Sequence, residues 1–150
     1  ACRCGRRGCW ETRSGLQALT SAYPSGDAVR DETTSLEERI EILRRRFDAG
    51  DTELAQRLGL SQQALTHALA ILADVLNPQV IVLSGYLATF ADVFLSPTTA
   101  ALEARLLDQR ARVSVEVSHL GQWASSHGAA LVALESVLDN PSLVDLGRGT

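Results

Sequence analysis

The chain has 150 residues, 45% of them hydrophobic and 21% charged, with a net charge of −4 and a pI of ≈ 5.3. These values suit one globular domain with a sizeable core, and they exclude a disordered chain and any general attraction to nucleic acid. All 14 basic residues are Arg, which rules out a P-loop and lysine Schiff-base chemistry. No apolar run, Val80 to Leu83 included, approaches the roughly 20 residues of a spanning helix, so no membrane partner is expected.

In chain order, Trp10 to Leu19 predicts a short helix, and Ser21 to Thr34, with Tyr23-Pro24-Ser25-Gly26-Asp27, a loop. Ser35-Leu36-Glu37-Glu38 is a capping box, the Ser35 hydroxyl accepting from the Glu38 amide. The helix it starts puts Leu36, Ile40, Leu43 and Phe47 on one stripe and stops near Gly50. Its Arg44-Arg45-Arg46 run reads as solvated surface. Asp51 caps a further helix carrying Leu54 and Leu58; Gly59 is expected to break it and Ser61 to restart it. Leu65, Leu69, Leu72 and Leu76 then continue the apolar face to Asn77-Pro78, where Pro78 stops it.

Gln79 to Leu83 is a β-branched run that predicts a strand buried on both faces, ending at Ser84-Gly85. Helices follow at about Leu87 to Leu95 and Pro97 to Asp108. Val113, Val115 and Val117 alternate with Ser114 and Glu116 as a second strand, and a last helix runs from Ala124 to Leu138. This is the order of an α/β domain, mostly helical with a small sheet. Two strands are few for a stable sheet, so the remainder is expected in a preceding segment, and the chain reads as a fragment of a longer protein.

Cys2, Cys4 and Cys9 carry the strongest chemical signal. Three thiols within eight residues, with Gly5 and Gly8 between them, suit a tight turn that points the sulfurs inward, and zinc takes four such ligands tetrahedrally. A Cys2–Cys4 disulfide competes, but would be strained and would leave an odd thiol. Free, inert cysteines are the bland alternative. Arg3, Arg6 and Arg7 favour thiolates, and the acidic chain without a leader peptide suits a cytoplasmic location.

Cys2-Arg3-Cys4-Gly5-Arg6-Arg7-Gly8-Cys9-Trp10-Glu11 resembles the Cys-x-Cys-Gly-x-x-Gly-Cys-x-Glu signature of the ROK family of repressors, open reading frames and sugar kinases. The resemblance continues at Leu76 to Gly85, at Ser118-His119-Leu120-Gly121 and at Gly128-Ala129-Ala130. It implies that residues 1–150 form most of the second lobe of an actin-like, sugar-kinase-type fold. It also implies a structural zinc on Cys2, Cys4 and Cys9, completed in the family by a His from a segment before the cysteines. His67, His119 and His127 are the substitutes this chain offers, each more simply a surface or packing His. By position, Glu11 is the family's acceptor of sugar hydroxyls, a task that suits a carboxylate; its plain alternative is an acid favoured in a first helical turn.

In kinases of the family a Gly-Gly pair at the first strand's end lets backbone approach nucleotide phosphates. Here the pair is Ser84-Gly85, followed by bulky Tyr86 and Leu87, which is expected to hinder that approach. The family's catalytic Asp belongs to the other lobe, so no catalytic residue is assigned. Leu54 to Leu65 also reads as a helix-turn-helix, but without basic residues on its second helix to meet phosphates. The reading that results is the sugar-binding and oligomerisation part of a transcriptional regulator, touching DNA only through a separate N-terminal domain and expected to form homo-oligomers. Its alternative is one lobe of a sugar kinase using ATP and magnesium, and in a third reading the zinc module is structural and the domain serves mainly for dimerisation.

Overall fold

The computed structural model describes residues 2–105 and 113–143. Two short helices, α1 (Glu11–Ser14) and α2 (Leu16–Thr20), meet at Gly15, so the helix expected from Trp10 to Leu19 is bent in two there. A loop follows, pinned by its own acids: Asp27 accepts from the Val29 amide and Asp31 from the Thr33 amide. The predicted caps are in place. The Ser35 hydroxyl accepts from the Glu38 amide and starts α3 (Leu36–Asp48), and Asp51 accepts from the Leu54 amide and starts α4 (Thr52–Leu76). Between them Gly50 has φ 86, a left-handed geometry that glycine adopts without a Cβ penalty.

The expected break at Gly59 is absent. Helix α4 runs unbroken for 25 residues, so the helix-turn-helix reading of Leu54 to Leu65 fails with it. A single interior Gly costs about 1 kcal/mol of helix propensity. That is less than the burial of Leu54, Leu58, Leu65 and Leu69 on one stripe contributes, at roughly 1.5–3 kcal/mol each. Ser61, expected to restart the helix, is buried within it.

Strands β1 (Val80–Leu83) and β2 (Ser114–Val117) pair in parallel, Val80 opposite Ser114 and Leu83 opposite Val117. Strand β1 is buried on one face only: Leu83 is 3% exposed, but Val80 and Val82 are 45% and 57% exposed. Between the strands lie α5 (Tyr86–Thr89) and α6 (Ala91–Arg105). Pro97 sits inside α6 and does not begin a new helix, and the expected end at Asp108 lies outside the described residues. The backbone donor lost at Pro97 is outweighed by the Phe94, Thr98 and Leu102 stripe, all buried, with the Thr98 hydroxyl 3.1 Å from that of Thr66 on α4. Last comes α7 (Ala124–Asp139), with Leu131, Val132, Leu134 and Leu138 facing outward.

The arginine run is more than solvated surface. Arg44 bonds Asp48 and Asp92 and lies over Phe47 and Phe90, while Arg46 bonds Asp27 at 3.0 Å and lies over Tyr23. Only Arg45 points away, as consecutive helical residues must splay. The Tyr23 hydroxyl donates to Asp51 at 2.7 Å, and burial followed by that carboxylate pushes its pKa up to about 12. For Asp27 burial works upward, but the Val29 amide and Arg46 together hold its carboxyl below the usual range. Asp51 is lowered by the Leu54 amide first and the Tyr23 hydroxyl second.

Two expectations follow. Carboxyls held low when folded contribute stability that is present above the unfolded value near pH 4 and is lost as pH falls toward the folded value. Stability should therefore hold from about pH 5 to 7 and decline below about pH 4, and Asp51→Asn, which keeps the cap, should flatten that decline in urea titrations. At Gly59 an added Cβ meets open space. Gly59→Ala should then stabilise the chain by about 0.5–1 kcal/mol in the same assay, whereas a turn at this position would make it destabilising.

Candidate metal centre and ligand cleft

The cysteine loop is closed by two backbone bonds, Gly5 N–H to Cys2 O and Cys2 N–H to Arg6 O, both 2.9 Å. Gly5 and Gly8 turn it at φ 80 and 78. The result places the Cys2, Cys4 and Cys9 sulfurs within 4.8 Å of one another, with Cys4 Sγ 3.5 Å from Cys9 Sγ. Thiolates on one tetrahedral zinc, with Zn–S of about 2.3 Å, lie roughly 3.8 Å apart. The donor set and its spacing therefore fit a metal ion, and all three cysteines are free of disulfides. The Cys4 thiol is lowered, first by the Arg6 backbone and then by the Cys9 and Cys2 thiols; Cys9 is raised to about 11, first by Cys4.

Among the described residues no His or carboxylate joins this group. His119 and His127 are exposed elsewhere, and His67 lines a shallow cavity beside Pro97 and Ala101. The three sulfurs offer one face of a tetrahedron, which leaves one position to a ligand from outside the group.

The loop leads straight into α1. The Thr12 amide and hydroxyl both donate to Cys9 O, at 3.1 and 2.6 Å, so the first turn of α1 is tied to the last cysteine. Glu11 opens that turn and is exposed. It stands between two cavities that share it and Leu16. One, of ≈ 350 Å³, is polar and also takes in Cys2, Arg30 and Arg39. The other, of ≈ 420 Å³, takes in Trp10, Leu36, Leu65, Gly85 and Tyr86. Both lie within the size range of small-molecule sites. Gly15 holds the pose, because a Cβ there would overlap the Glu11 carboxylate and backbone oxygen.

Gly85, predicted from the end of β1, thus opens onto the same cavity as Glu11. It has φ 64, its amide donates to Gly121 O at 3.0 Å, and nothing lies within 4 Å of where its Cβ would be. Tyr86 and Leu87 line this cavity beside Gly85. The Tyr86 ring packs edge-on against Phe94, and its hydroxyl reaches Ser61 on α4 and donates to the Ser14 carbonyl at the end of α1. Burial raises the Tyr86 pKa, which keeps the hydroxyl protonated as a donor. Ser84, the other predicted residue, is half-buried beside it. Sequence reasoning missed Trp10, Arg30 and Arg39 as lining residues. Trp10, adjoining Glu11, was findable, since an exposed aromatic ring beside a carboxylate offers an apolar face and a hydroxyl acceptor together.

No helix of the described residues is long and apolar enough to cross a membrane. Neither a curated protein nor a solved structure matches the chain. The model of the ROK family matches it over residues 1–136, which takes in the cysteine loop, α1, both strands and most of α7. On that match the chain belongs to the ROK family.

Proposed function

We propose that the chain is the C-terminal lobe of a sugar-responsive transcriptional regulator, in which a structural zinc on Cys2, Cys4 and Cys9 fixes α1 so that Glu11 accepts hydroxyls of a bound sugar or sugar phosphate. The observation that carries this reading is the direct tie between cysteine loop and carboxylate: three sulfurs within 4.8 Å, and Thr12 anchored on Cys9 one residue beyond Glu11. The zinc supplies a crosslink here, since metal binding and folding of such a loop are coupled. Trp10 offers a hydrophobic platform beside the acceptor. The apolar residues left open on β1 and α7 support a further packing partner, either the other lobe of an actin-like fold or a second copy. Sugar binding would then bias the angle between lobes and so the spacing of DNA-binding domains outside this chain.

A second reading is favoured by one observation: the open backbone at Gly85 leaves room for a phosphate, as an ATP- and magnesium-dependent sugar kinase would need. In the full-length protein, sugar-dependent release of operator DNA without ATP turnover is the result the regulator reading requires. Sugar-dependent ADP production in a coupled assay would overturn it in favour of the kinase.

Sugar recognition itself is tested by calorimetry. Glu11→Gln should weaken sugar binding roughly ten- to hundred-fold, as expected for a hydrogen bond to a charged group. Gly15→Ala should weaken it comparably by displacing the same carboxylate, while metal content stays unchanged. Unaltered affinity in both variants would leave the metal loop a structural role only.

A further inference from the structure

Three half-buried arginines among the described residues are neutralised. Arg44 meets Asp48 and Asp92, Arg46 meets Asp27, and Arg57 meets Glu53. The exposed Arg30 and the half-buried Arg39 are different. Arg39 donates through Nε to the Val29 carbonyl at 2.7 Å, and Arg30 donates through Nη1 to the Tyr23 carbonyl at 2.9 Å. Each guanidinium is thereby positioned by a neutral backbone oxygen, and neither has a carboxylate within ion-pair distance among the described residues. A guanidinium has five N–H donors, so each keeps several for a ligand and keeps its charge. Both line the polar cleft of ≈ 350 Å³ that Glu11 also lines.

We propose that this cleft is a subsite for an anionic group, a phosphate monoester or a carboxylate, and that Arg30 and Arg39 receive it while Glu11 holds the hydroxyls of the same molecule. This rests on the reading of Glu11 as the hydroxyl acceptor, and it narrows the ligand to an acidic or phosphorylated sugar over a neutral one. The charges around the cleft are mixed: Glu32 lines it and is paired with Arg3 at 3.5 Å, Asp31 is near enough to feel Arg39, and Glu11 lines it as the hydroxyl acceptor, so the anion's place is at Arg30 and Arg39. The buried Thr20 and the exposed Gln17 add neutral polar atoms to the lining. Fixed guanidiniums suit such an anion because the cost of ordering them is already met in the fold and their fork matches two oxygens.

The test is calorimetric titration of the protein with a hexose, its phosphate monoester and inorganic phosphate, at low and high salt. The monoester should bind at least ten-fold tighter than the hexose, with an advantage that shrinks as salt rises. Arg30→Gln and Arg39→Gln should each remove most of that advantage while leaving hexose affinity unchanged, and Arg45→Gln, on the solvent side of α3, should change neither. Thermal melts of each variant identify loss of folding, and because the Arg39 bond also ties α3 to the loop, Arg30→Gln gives the independent reading. Equal affinity for hexose and monoester, unaltered by either substitution, would overturn the subsite and leave the Glu11 reading standing. Binding of inorganic phosphate that is lost in both variants, with no hexose bound, would uphold the subsite and overturn the sugar reading. No binding of any of the three would overturn both.

Discussion

The apolar stripe of α4 is the constraint on which the other elements depend. Leu54, Leu58, Leu65, Leu69 and Ala73 recur at helical spacing along 25 residues, and the core assembles on them: Leu19 from α2, Leu43 from α3, Phe94 and Leu102 from α6, and Leu83 from β1. Removing a large buried side chain such as Phe94 from this cluster would cost about 3–5 kcal/mol, a large share of the stability of a domain this size. The polar atoms admitted to the stripe all have work. Ser61 meets the Tyr86 hydroxyl, and Thr66 meets Thr98. Tyr86 also holds the Ser14 carbonyl, so one half-buried ring ties α4, the end of α1 and the start of α5 together. Glu11 and Gly85 come to face one cavity through that link.

Local order at the cysteine loop comes from another source. Cys2 and Cys9 are only partly covered, Cys4 is exposed, and no apolar core underlies them. Ten residues with two left-handed glycines have much conformational entropy to lose. Backbone bonds at Gly5 and Cys2 recover a part of it, and three convergent thiols give a metal the means to supply the rest. The division is informative: the fold is built on hydrophobic burial, but the edge that carries the cysteines is held by hydrogen bonds and by three thiols placed where a metal could join them.

Much of this was readable from residue identities. The caps at Ser35 and Asp51, the stop at Gly50, both strand positions and the convergence of the cysteines rest on local chemistry, and local chemistry survives in the fold. What was not readable was decided by tertiary packing. Gly59 and Pro97 are breakers by propensity, yet each lies in a helix whose stripe on either side is buried against a partner. Strand β1 has the composition of a strand covered twice, but composition does not say whether the second cover lies within the described residues. The arginine run looked like surface because its partners, Asp27 and Asp92, are distant in sequence. Arg30 and Arg39 were invisible because their partners, the Tyr23 and Val29 carbonyls, are backbone atoms that only the folded loop presents.

The central claim is that a metal on three cysteines sets the pose of Glu11. Its most direct test is hydrogen exchange on reduced protein of known metal content, before and after chelation. One metal ion per chain is expected, with protection at the amides of Gly5, Thr12, Ser14 and Gly15, which all sit in hydrogen bonds of this edge. Chelation should abolish protection at those amides while leaving α4 protected, because the core does not rest on the metal. Absence of bound metal, or exchange at residues 5–15 that chelation does not alter, would contradict the account.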